Sequence, residues 1–240
     1  MTAAAVLPPT APAPPAPAVP SRAAAYQHVL HRLVRRELRV LTRLSTWAAP
    51  DDAARTAALT AHADLLGRLL LRHHATEREL IWPALLRALP ERDAARGRDA
   101  VAGWTASCTR LDHLLRDIST AARQWAVAGT APARDAFAMA CLVLADAVAV
   151  QTADEERELL PLLAALPPAD WAAITAGAGC VLSHRERMLV LGLALEDATP
   201  DERARLLAAL PPTTRLAWRL AGRRHFRAAV VRLRGEPPSE

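Results

Sequence analysis

Apolar residues in this chain return every three or four positions over long stretches, roughly 22–48, 52–88, 92–128 and 132–166. That period belongs to a helix with one face turned inward, so each stretch is predicted to be an amphipathic helix. The breaks carry the residues that helix ends favour. Pro50-Asp51-Asp52 divides the first two stretches, and either aspartate can cap the second helix. Pro90 marks the next break, and Gly129-Thr130-Ala131-Pro132 the last. Connections this short predict antiparallel neighbours, and so an all-α, up-down four-helix bundle over residues 21–166. Beyond Pro167-Pro168 shorter helices are predicted near 169–177, 180–196, 200–209 and 213–234, with Thr199-Pro200-Asp201-Glu202 as a helix start. Trp171, Ile174, Leu189, Leu193 and Trp218 make this extension, 167–235, apolar enough to pack on the bundle. Residues 1–20 hold seven prolines and are expected to form a disordered, polyproline-leaning tail.

One stretch spoils the simple pattern. "LLLRHHATERELIWPALL", residues 69–86, places His73, His74, Glu77 and Glu79 among leucines. At about 100° per residue, His73 and Glu77 fall in the same arc as Leu66, Leu69 and Leu80. In the fourth stretch Gln151 and Glu155 share an arc with Leu144, Val148, Leu159 and Leu162. In the third, Cys108 lies with Val101, Trp104, Leu111 and Leu115. His31 sits at the edge of the first helix's apolar arc, beside Val34 and Leu38, and Glu37 lies among Leu30, Val34 and Leu41 as a buried partner for an arginine. His62 is about 16 Å from His73 along the helix axis, so it is read as a core or helix-end histidine outside their site.

A carboxylate buried without a partner costs several kcal/mol, or takes up a proton. Two inward glutamates beside two inward imidazoles therefore need a cation, and a metal ion supplies one: it keeps carboxylates ionised and accepts neutral imidazole nitrogen. The chain also repeats weakly. Shifted by 78 positions, "HHATERELIWPALL" (73–86) falls on "QTADEERELLPLLA" (151–164), so that His73 meets Gln151, Glu77 meets Glu155 and Pro83 meets Pro161. Shifted by 77, "HRLVRREL" (31–38) falls on "CTRLDHLL" (108–115). Each half is a helix pair with one polar position on its first helix and a polar-x-x-x-Glu pair on its second.

Composition adds bounds. The residues are 52% apolar and 4% aromatic, with Ala and Leu dominant, which favours helices over sheets. There is no Lys, so all 30 basic residues are Arg, and that bias lowers the weight of any arginine cluster. A net charge of +5 is modest for 240 residues. Arg215, Arg219, Arg223 and Arg227 form an i, i+4 ladder in a segment with seven Arg and no acid between Pro211 and Arg234. It is read as a solvated face, and neither a nucleic-acid nor a membrane partner is expected. Cys108, Cys141 and Cys180 lie far apart without a C-x-x-C, which fits a reducing cytoplasm. No apolar run is expected to reach the ~18 residues of a membrane span, and the N-terminus lacks the basic region of a signal peptide. Nothing resembles a P-loop, a dinucleotide fold or a Ser/His/Asp triad.

Taken together, "HRLVRREL", "HHATERELIWP" and "ADEERELLP" resemble the hemerythrin-like (HHE cation-binding) family over roughly residues 24–166. The stretch "LALEDATPDERARLLAALPPTTRLAWRLAGRRHF" resembles an extension found on a bacterial branch of that family. The resemblance implies a bundle around a non-haem di-iron centre that binds oxygen, nitric oxide or peroxide. By that resemblance His31 and His73 match histidine ligands, and Glu77 and Glu155 match bridging carboxylates. Glu156 is the neighbour that could replace Glu155, and His74 the neighbour of His73. Cys108 and Gln151 stand where the family has histidines on the third and fourth helices. The site expected is therefore impaired: one iron, or zinc, held by His31, His73, Glu77 and Glu155, sensing or buffering oxygen, nitric oxide or iron. The alternative is a metal-free bundle that serves as a protein-interaction module.

Overall fold

A computed structural model describes residues 21–177 and 182–235; the proline-rich segment 1–20 and Cys180 lie outside the described residues. Every regular element among them is helical. Helix α1 spans Arg22–Trp47, α2 Ala53–Thr76, α3 Trp82–Ala88, α4 Glu91–Ala128 and α5 Ala131–Glu158. The extension contains α6 (Pro168–Gly177), α7 (His184–Glu196), α8 (Pro200–Ala208), α9 (Pro212–Ala217) and α10 (Arg223–Arg234). The described part of the helix predicted from residue 180 starts at His184, with Ser183 and Glu186 closing a capping box, as Thr199 and Glu202 do for α8. Of the two aspartates offered as a cap for α2, Asp52 accepts the Arg55 N–H.

Two expected helices are interrupted. The stretch predicted as continuous from 52 to 88 passes through a π-helical turn, Glu77–Ile81, in which the Trp82 N–H reaches back five residues to the Glu77 carbonyl. Pro83 gives the reason: it has no N–H, so the α-helical bond pattern fails just there. The fourth stretch tightens into a 3₁₀ segment, Leu160–Ala165, with Pro161 at its start.

Helices α1, α2, α4 and α5 pack as a ring, each against two of the others. Gln27, near the start of α1, donates to Glu77 beyond the end of α2. At the other end Trp125 donates to the Pro50 carbonyl at 3.0 Å and Arg134 to the Ala48 carbonyl at 3.0 Å. Against the expectation of no such run, α5 is by length and mean hydropathy long and apolar enough to cross a membrane. Its Phe137, Cys141, Leu144 and Val148 are buried in the ring, and Met139, Val143 and Val150 are exposed.

The core has two apolar layers. One joins Leu33, Leu41, Leu66, Leu111, Phe137 and Val148 to Met188, Leu193, Trp218 and Phe226 of the extension. The other gathers Ile81, Trp82, Leu85, Trp104, Cys108, Leu159 and Leu163. Between the two layers lie the buried polar residues Gln27, His31, His73, His74, Glu77, Gln151 and Glu155. Within the extension α7 and α10 pack closely: at Gly192 a side chain would run into the Phe226 ring. The extension meets the bundle where α7 lies on α1 and α10 on α2. It is fastened by Arg234, the last residue of α10, which donates to Glu196 at 2.6 and 3.0 Å and to Glu37 at 2.7 Å.

Candidate metal centre

Four side chains from α1, the α2–π segment and α5 meet in the polar layer. His31, His73, Glu77 and Glu155 are all buried, and one donor atom from each lies within 4.8 Å of the others. His31 Nε2 is 3.4 Å from Glu155 Oε1, and His73 Nε2 is 3.2 Å from Glu77 Oε1. Donors about 2.1 Å from one tetrahedral ion would be roughly 3.4 Å apart. The four candidate ligands named from the sequence are the four brought together, including His31, which is fully buried rather than at an edge.

Around the four, some polar atoms are satisfied and some are not. His31 Nδ1 pairs with Glu156 Oε1 at 3.1 Å, and Arg35 holds the same carboxylate at 2.9 Å. Glu77 Oε1 accepts from Gln27 at 2.6 Å. Glu155 Oε2 accepts from both Trp104 and Gln151 at 3.2 Å. Left buried without a hydrogen-bond partner are His31 Nε2, His73 Nε2, Glu77 Oε2 and Glu155 Oε1, and beside them the amide oxygens of Gln27 and Gln151. One such atom from each of four clustered residues is far from ordinary for a protein interior, where buried polar atoms are paired.

Electrostatics tell the same story. Burial, then the facing Glu155 carboxylate, pushes Glu77 well above the usual carboxylate range. Burial, then charge on His31 and His74, pushes His73 well below the usual imidazole range, so it offers a neutral nitrogen. Burial pulls His31 down, but Glu155 and Glu156 outweigh it and the net shift is upward. Without a metal, protons on Glu77 and His31 are the stand-ins for the cation. Glu156 is different: although burial opposes it, His31 and Arg35 hold its carboxyl at about 2.

The remaining residues named from sequence fall outside the four. Glu156, offered as an alternative ligand, orients His31 instead. His74 is buried against Trp104 with ring centroids 6.0 Å apart, its nitrogens unpartnered, and burial lowers it to about 4. It is not part of the four-residue cluster. Cys108 is fully buried, and burial raises its thiol far above the usual range, so it stays protonated. Gln151 acts through Glu155, as a hydrogen-bond donor. Sequence reasoning missed Gln27 and the indole of Trp104 as partners of the carboxylates. The only signal was that Gln27 precedes His31 by one helical turn, and Trp104 precedes Cys108 by one.

The model of the hemerythrin HHE cation binding domain matches residues 24–163. The chain belongs to the hemerythrin HHE family. The match spans α1 to the 3₁₀ segment and includes all four clustered residues. No curated protein and no solved structure matches the chain. Membership and the buried His/Glu cluster together point to metal binding.

Proposed function

We propose that this hemerythrin-family protein binds iron or zinc through His31, His73, Glu77 and Glu155 and uses the centre to sense or buffer oxygen, nitric oxide or iron. The observation that carries the proposal is the set of four unpartnered buried atoms, two imidazole nitrogens and two carboxylate oxygens, on converging side chains. Two imidazoles and carboxylate suit Fe(II), which when bound so keeps positions open to a small oxidant. The chain's own residues prepare the place: Glu156 fixes the ring of His31, Gln27 turns Glu77, and the layers around Trp82 and Leu66 exclude bulk water. Start-to-end contacts such as Gln27 with Glu77 and Arg134 with Ala48 support an up-down order of the four helices. A cytoplasmic location is part of this reading on the sequence alone, whose cysteines lie far apart without a C-x-x-C.

The reading as a metal-free interaction module draws on the exposed Arg219, Arg223 and Arg227, a face with no ion pair among the described residues. Metal analysis separates the two. Protein expressed without a tag in iron-supplemented medium is expected to retain iron, and His73→Ala to lose it. Wild type as metal-free as His73→Ala would leave the interaction module.

A further inference from the structure

The reading above leaves open whether the centre takes one ion or two. A carboxylate that bridges two metals through both of its oxygens needs a free lone pair on each. Here one oxygen of Glu155 is already saturated, and one oxygen of Glu77 has a single donor on it. Glu155 Oε2 accepts two N–H donors, Trp104 and Gln151, each at 3.2 Å, and Glu77 Oε1 accepts the Gln27 amide at 2.6 Å. The indole nitrogen is a donor only and cannot become a metal ligand. Trp104 is also held in place, packed edge-to-face against Trp82 at 5.6 Å and against His74 at 6.0 Å. Its N–H therefore stays in the space that a second cation would need beside Glu155. His31 Nε2 faces the other oxygen of Glu155 at 3.4 Å and His73 Nε2 faces Glu77 Oε1 at 3.2 Å, so both free nitrogens converge on the first position.

We infer that Trp104 and Gln151 restrict this centre to a single metal ion by saturating the oxygen of Glu155 that would face a second one. They act as specificity-determining residues, with N–H dipoles substituting for the second cation. The inference rests on the four-ligand reading, and the same experiment distinguishes the failure of each.

The test is metal content after anaerobic loading with Fe(II), and separately Zn(II), followed by desalting. Wild type is expected to hold one ion per chain. Two ions would overturn the single-ion inference alone; none would remove the four-ligand site and this inference with it. The converse variant, Trp104→His with Gln151→His, replaces two N–H donors by imidazoles facing Glu155. Its iron content is expected to double, with a magnetically coupled pair in the Mössbauer spectrum. If circular dichroism shows that the double variant does not fold, Gln151→His alone is titrated with Co(II), and a second absorbing equivalent is expected. A folded variant that still takes one ion would show that these side chains are not what excludes the second.

Discussion

Two buried carboxylate clusters lie along the same bundle, and they end in opposite electrostatic states. Glu37 is fully buried, yet its oxygens accept from Arg36 at 2.7 Å, Arg234 at 2.7 Å and His62 at 3.0 Å. Burial works against ionisation, but those three partners hold its carboxyl at about 2. Glu77 is buried to the same degree, receives one neutral amide and faces another carboxylate, and is pushed well above the usual range. Burial alone thus does not decide the charge of an interior carboxylate; the presence of a cation does. The Glu37 cluster contains its own cations and joins the extension to the bundle. The Glu77 cluster has the ligands of a cation and no arginine among them, so without a metal only a proton on His31 brings positive charge.

The contrast can be broken first at Glu37. Glu37→Ala leaves His62 without its carboxylate and takes one of two buried carboxylates from Arg36 and Arg234, which keep Glu196; removing one member of a buried charged set costs about 3–5 kcal/mol. Urea unfolding is expected to show a loss of that size, with docking of α10 weakened more than the ring. The second lever is acid. Because the Glu37 pKa is lower folded than unfolded, about 2 against 4.5, its contribution is complete above pH 4.5 and disappears as pH falls toward 2. At 1.36 kcal/mol per pH unit the sum is roughly 3 kcal/mol. Glu37→Gln should lack this part of the acid dependence when unfolding is followed across that window. A smaller effect belongs to Glu156, which touches no proposed open position but orients His31. Glu156→Gln is expected to weaken metal binding about 10–100-fold, as losses of histidine-orienting partners do, read by competition with a chelator.

Much of this was legible in the sequence because helices report their faces through a period. The arcs containing His73, Glu77 and Glu155 needed nothing beyond counting, and the internal repeat set them at comparable heights. Glu37 was identified as an arginine's partner from its leucine neighbours, although nothing local pointed to Arg234, 197 residues away. The parts not legible were those decided by one residue's rotation. Glu156 lies one position past the inward arc, close enough to reach His31 and too far round to join the ligands. Trp104 reads as a packing residue at every level of pattern, and only coordinates show its N–H on Glu155. The π turn at Glu77–Ile81 shifts the register where a ligand sits. Its one trace in the sequence is Pro83, which says that a bond is missing and not how the helix closes the gap.

The most direct measurement of the central claim is the stability of wild type and Glu77→Gln, each in excess Zn(II) and in chelator. In chelator Glu77→Gln removes a carboxylate that burial penalises, so the variant is expected to be more stable than wild type by about 1–3 kcal/mol. In Zn(II) the order should reverse, because only wild type keeps both carboxylate ligands and gains from the bound ion. A variant less stable than wild type under both conditions, with no Zn(II)-dependent change in either protein, would contradict a centre built for a cation.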